Sequence, residues 1–136
     1  MSKPNEKPTT GGCACGAVRY AFTGEPEFAF HCHCRKCQRA TGGGHASAFA
    51  VAAEDATIEG ELKHYGAPAD TGAQTFSCFC PNCGSPVLSK TERFPERLYF
   101  HAATLDDPAT FSPGFVVFEE AAQPWDPPDE RLAKPG

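Results

Sequence analysis

Apolar side chains recur along this chain in short alternating runs, separated by glycine and proline, and no run of ten or more residues carries a helical period. Alternation of period two marks half-buried strands. It predicts strands over Ala17 to Phe22, Glu27 to His31, Ala46 to Ala52, Gln74 to Phe79, Leu98 to His101 and Phe115 to Phe118, with a shorter one at Val87-Leu88. Weaker alternation over Thr57 to Tyr65 reads as a hairpin arm. Turns fall at Thr23-Gly24-Glu25-Pro26 and at Thr104-Leu105-Asp106-Asp107-Pro108, and Ala67 to Ala73 reads as a polar loop. Cys34 to Thr41 fits one short helix, stopped by Gly42-Gly43-Gly44. That glycine run is either a plain turn or a mobile lid over a ligand. The expected fold class is mainly β with little helix.

Composition changes this picture in one respect. Val, Ile and Leu together number only eleven, matched by eleven Phe, in 136 residues. That is about 16% large apolar side chains, below the roughly 20% at which a chain begins to look disordered. The net charge of -5 is too small for that reading. A thin core supplemented by bound metal fits better, with metal affinity serving as folding energy.

Eight cysteines supply the ligands. Met1 to Thr10 is polar, has no apolar segment of the kind a secretory signal carries, and reads as a disordered leader. No stretch is long enough to span a membrane, and the expected location is the cytoplasm. The cysteines also cluster at ligand spacing rather than staple spacing. Gly11-Gly12-Cys13-Ala14-Cys15-Gly16 is one pair, Cys32-His33-Cys34-Arg35-Lys36-Cys37 a trio, and Cys80-Pro81-Asn82-Cys83-Gly84 a zinc-knuckle pair. C-x-C-x-x-C occurs twice, at Cys32 to Cys37 and at Cys78 to Cys83. The simplest division joins Cys13 and Cys15 to Cys80 and Cys83 in a closed structural zinc site, and leaves Cys32, Cys34 and Cys37 as an open site with room for a substrate atom. Cys78 is a spare thiol, a fourth ligand of the second site, or a competitor within the first. An acidic chain offers no basic face for nucleic acid.

These motifs resemble those of the glutathione-dependent formaldehyde-activating enzyme family, which includes the centromere protein V domain. The resemblance rests on Gly-Gly-Cys-x-Cys-Gly at 11 to 16, Cys-His-Cys-x-x-Cys-x-x-x-x-Gly at 32 to 42 and Phe-Cys-x-x-Cys-Gly-Ser-Pro at 79 to 86, with Thr104 to Pro108 and Trp125 in support. It implies a Mss4-like fold of several small coiled antiparallel sheets. It implies a structural zinc on Cys13, Cys15, Cys80 and Cys83 and a second, labile zinc on Cys32, Cys34 and Cys37, where a glutathione thiol is handled. The implied activity is addition of glutathione to formaldehyde, a carbon–sulfur lyase reaction in reverse. The zinc domain then spans residues 11–125, between the leader at 1–10 and a tail at 126–136 rich in proline and charge, whose start Trp125 pins to the body.

In that reaction a coordinated thiol loses its proton and adds to a carbonyl carbon. Arg35, Lys36 and Arg39 stand beside the trio and are candidates to hold the ligand's carboxylates, or else form a solvated helix face. His33 lies between two ligands, and alternation turns it away from them, toward a structural role. His31, His45, His64 and His101 have no evident partner. The rival class is a non-catalytic zinc module that binds a protein partner. A redox-responsive thiol cluster, or a methionine sulfoxide reductase on a related scaffold, is a third; the latter lacks a catalytic cysteine after Cys83.

Overall fold

The computed structural model describes residues 7–69 and 71–135. Among the described residues ten strands form two sheets, accompanied by one α-helix. The smaller sheet has the order β1-β2-β5, from Thr9–Gly12, Arg19–Phe22 and Ala56–Glu59. The larger has the order β10-β3-β4-β9-β8-β7-β6, from Phe115–Val117, Phe28–Cys32, Ala46–Ala52, Arg97–His101, Pro86–Thr91, Gln74–Phe79 and Lys63–Pro68. All pairings are antiparallel except β10 with β3, which is parallel because the chain returns to that edge by a long connection. The mainly β expectation holds.

An interior strand of the larger sheet shows how small residues and phenylalanine share the work. In β4, Ala48, Phe49, Ala50 and Val51 are all buried. Aromatic rings then join the two sheets. Tyr20 of β2 stacks on Phe100 of β9 at 4.2 Å between centroids, and Phe22 of β2 lies 5.5 Å from Phe49 of β4. Large rings thus supply contact area that a chain poor in Val, Ile and Leu lacks. The Tyr20 hydroxyl donates to Thr104 Oγ1, whose own proton goes to the His101 carbonyl. No buried donor is left over there.

Three expectations are corrected. Thr9 and Thr10 do not belong to a disordered leader: they pair with Phe22 and Ala21 as the edge of the smaller sheet. The rest of that leader, up to Glu6, lies outside the described residues. Thr57 to Tyr65 is not one hairpin arm: Lys63–Tyr65 lies in β6, which forms a hairpin with β7, but Thr57–Glu59 lies in β5 of the other sheet. Gly60, at φ 95°, makes the turn between them, and a Cβ there would collide with the Ala17 carbonyl. Trp125 pins nothing: it is 70% exposed. The tail is held instead through Asp126 and through Ala133, whose carbonyl accepts from Val116 N–H.

The turn at Gly60 gives a direct test. Gly60→Ala is expected to cost about 2 kcal/mol, from positive-φ strain plus the collision. A urea titration should show the midpoint falling by roughly 1 M at unchanged slope. An unmoved midpoint would show that the two sheets tolerate a different turn.

Candidate functional site

The chain brings together both cysteine sets that its sequence suggests. Cys13 and Cys15 sit in the turn after β1, and Cys80 and Cys83 in the turn after β7. Their four sulfurs all lie within 4.8 Å of one another. Cys13 Sγ is 3.7 Å from Cys15 Sγ, which is 3.8 Å from Cys80 Sγ. Zinc–thiolate bonds of about 2.3 Å in a tetrahedron require sulfur–sulfur edges of about 3.8 Å. Disulfide sulfurs would be about 2.05 Å apart.

The hydrogen bonds also suit thiolates. Backbone N–H groups of Val18, Asn82 and Cys83 point at Cys13 or Cys80 Sγ, and Asn82 Nδ2 donates to Cys15 Sγ at 3.2 Å. Ser85 Oγ accepts from Ala14 N–H, so its proton is free for Cys83 Sγ at 3.2 Å. That hydroxyl, with backbone N–H groups, holds the Cys83 thiol down to about 5. Ser85 is therefore more than the turn residue its place after the knuckle suggests. Four sulfurs at zinc spacing, ringed by donors, fit a closed metal site.

The trio is local. Cys32 ends β3, and Cys34 caps the helix α1 (Arg35–Thr41), its Sγ accepting from Cys37 N–H at 3.2 Å. Gly42, at φ 78°, ends the helix, so the glycine run begins as a cap. Cys32, Cys34 and Cys37 Sγ lie within 4.8 Å of one another. Cys34 lies well below the ordinary thiol range because Cys32, and then Cys37, donate to it. Cys32 is raised by its hydrogen bond to Cys34, and Cys37 by its bonds to Cys32 and Cys34. The trio thus takes one negative charge easily and resists a second, a resistance that a dication among the sulfurs would remove.

Cys78 stands apart from both sets. It is 1% exposed, within the core cluster, and burial pushes its thiol up. The alternation that would align it with Cys80 is broken by a bulge between Cys78 and Phe79. Its burial also shields it from alkylation without any metal.

The candidate cations surround the trio loosely. Arg35 donates to Gln38 Oε1, Lys36 donates to the Ala67 carbonyl at 3.3 Å, and Arg39 is exposed. A cleft of about 580 Å³ is lined by Cys13 and Ser85 of the four-cysteine side and by Thr41, at the end of α1, and His45; none of the trio's cysteines lines it. Thr41 Oγ1 donates to the Cys37 carbonyl. A second cavity of about 590 Å³, beside Phe28 and Phe111, touches no cysteine.

Sequence reasoning gave His45 no partner and did not single out Asp126. His45 Nδ1 is 2.5 Å from Asp126 Oδ2, and His33 Nδ1 is 3.7 Å from the same oxygen. His33 is buried, and its Nδ1 has no hydrogen-bond partner among the described residues. Burial first, then His45, lowers its proton affinity. His31 is held by Ser47 Oγ at 2.8 Å. Only the exclusion of His33 from the cysteine side was visible in advance, through alternation.

Comparison with known proteins places these features. No curated protein matches this chain. A solved crystal structure of a Rhodobacter sphaeroides protein is similar, with 26% identity, a TM-score of 0.57, and coverage of 72% of this chain and 88% of that one. The sequence profile of the glutathione-dependent formaldehyde-activating enzymes matches residues 8–121, a span that holds all eight cysteines. The chain belongs to that family.

Proposed function

We propose that this protein catalyses the reversible addition of a glutathione-type thiol to a small aldehyde, using zinc held by Cys32, Cys34 and Cys37. The observation that carries this reading is the trio itself. Three sulfurs converge within one ion's reach, and the remaining nearby candidate, Cys78, is packed in the core. When bound, zinc supplies a Lewis acid that lowers the pKa of an incoming thiol.

The residues of the chain supply the rest. The Cys37 N–H at the start of α1 holds Cys34 in place. Arg35, Lys36 and Arg39 offset the negative charge of a thiolate site and offer donors to the two carboxylates of glutathione. The cleft beside Thr41 has the size of a small-molecule site. In the reaction a sulfur–carbon bond forms, the carbonyl π bond opens, and the thiol proton ends on the new hydroxyl. The reverse step is the lyase reaction. The cytoplasm fits this chemistry; among the described residues no helix is long and apolar enough to cross a membrane.

Glutathione at a hundredfold excess over its dissociation constant should stabilise the zinc-loaded protein by about 2.7 kcal/mol, a melting shift of several degrees. Formaldehyde consumption should then exceed the uncatalysed rate. No melting shift with glutathione or any small thiol would favour the non-catalytic module.

A further inference from the structure

Among the described residues, one group of ligating side chains converges besides the two cysteine sets: His33 from the loop after β3, His45 just before β4, and Asp126 from the C-terminal segment. We propose that these three residues form a third metal site, built for a divalent first-row transition ion bound by two imidazoles and one carboxylate.

Three observations support it. The first is the orphaned atom. His33 is 1% exposed, yet its Nδ1 meets no partner and faces the Asp126 carboxylate at 3.7 Å. A buried imidazole nitrogen without a partner is costly, and an ion between it and the carboxylate would satisfy both. The second is spacing. The donor atoms of all three residues lie within 4.8 Å of one another, and Asp126 Oδ2 lies 2.5 Å from His45 Nδ1. Metal–nitrogen and metal–oxygen bonds of about 2.1 Å require donors about 3.0–3.4 Å apart. Asp126 Oδ2 reaches that geometry by moving less than about 1 Å from His45 toward His33.

The third observation is construction. Gly44 is buried directly under Asp126, and a Cβ there would overlap the Asp126 Cβ and Cγ. Gln38, also buried, fixes both sides of the site. Its Nε2 donates to the His33 carbonyl at 2.7 Å and to the Ala121 carbonyl at 3.1 Å. Its Oε1 accepts from Gln123 at 3.1 Å and from Arg35. The three bonds to His33, Ala121 and Gln123 thus bring the segment that carries Asp126 against the loop that carries His33.

The donor set differs in kind from the thiolate sets. Imidazole and carboxylate suit borderline ions such as Zn²⁺, Co²⁺ and Ni²⁺. His33 lies between Cys32 and Cys34 in the chain, yet the proposal does not depend on the reaction proposed above.

The test is a metal count. Wild type, Asp126→Asn and His45→Ala are dialysed to equilibrium against Zn²⁺, and bound zinc and protein are measured. Wild type should hold one ion per chain more than either variant, whatever number the cysteines hold. Titration of the zinc-loaded proteins with Ni²⁺ should release one zinc per chain from wild type at a Ni²⁺ concentration at least a hundredfold below any release or Ni²⁺ uptake in either variant, and Gly44→Ala should take up that Ni²⁺ about tenfold or more weakly. Intact far-ultraviolet circular dichroism in either ligand variant validates the comparison. Equal zinc counts in wild type and a folded ligand variant would overturn the site, as would Ni²⁺ binding that Asp126→Asn and His45→Ala leave unchanged.

Discussion

Cys80→Ser is expected to abolish the cooperative thermal transition of this protein. Cys80 is fully buried within the core cluster, with Cys13 also in it, while Cys15 and Cys83 are exposed, so the set joins the core to the surface. The four cysteines tie the smaller sheet to the larger one across 65 residues between Cys15 and Cys80. Apparent zinc affinities of structural thiolate sites correspond to about 10–16 kcal/mol. The whole stability of a domain of this size is about 5–15 kcal/mol. Losing one ligand of four therefore removes a contribution comparable to the entire net stability. The variant should show a broad, sloping melt by circular dichroism and lose the zinc of this site. A sharp transition at the wild-type temperature would exclude a structural role.

Cys37→Ser should do the opposite: keep the fold and lose the chemistry. Cys37 sits on a helix of seven residues outside the core cluster, so its loss leaves the packing between the sheets intact. The expected melting temperature lies within a few degrees of wild type, consistent with about 1 kcal/mol at a partly exposed site. The second zinc should be lost, with it the glutathione-induced melting shift, and aldehyde–thiol addition should fall to the uncatalysed rate. Retained activity at an unchanged zinc count would refute the role of the trio. Unfolding of the variant would place the trio among the structural ligands.

The two predictions rest on features the sequence shows directly. Cysteine spacing is a local pattern, and the two pairs and the trio that could hold metal follow from it. So do the strand positions, because alternation is fixed by side-chain geometry over a few residues. What the sequence hides is long-range. The weak alternation of Thr57 to Tyr65 cannot reveal that Gly60 passes the chain from one sheet to the other. The bulge at Cys78 and Phe79 is set by pairing with β8, so a strict period misplaces Cys78. Trp125 looks like an anchor by size, yet Asp126 makes the contact, through a histidine 81 residues away. Left-handed Phe118, at φ 57°, ends β10 and turns the chain toward that contact, and no glycine marks the place.

The repeated C-x-C-x-x-C has a consequence for the unfolded chain. Before folding, Cys32-Cys34-Cys37 and Cys78-Cys80-Cys83 are equivalent local chelators, since each needs only six consecutive residues. Folding preserves the first and dismantles the second: Cys78 enters the core, and Cys13 and Cys15 replace it. Zinc captured early at residues 78–83 must therefore exchange a ligand before the sheets can close. An ion that also binds the denatured state stabilises the native one by less than its native affinity suggests. Refolding should accordingly slow as free zinc rises: an ion that secured the finished fold would be a brake on reaching it.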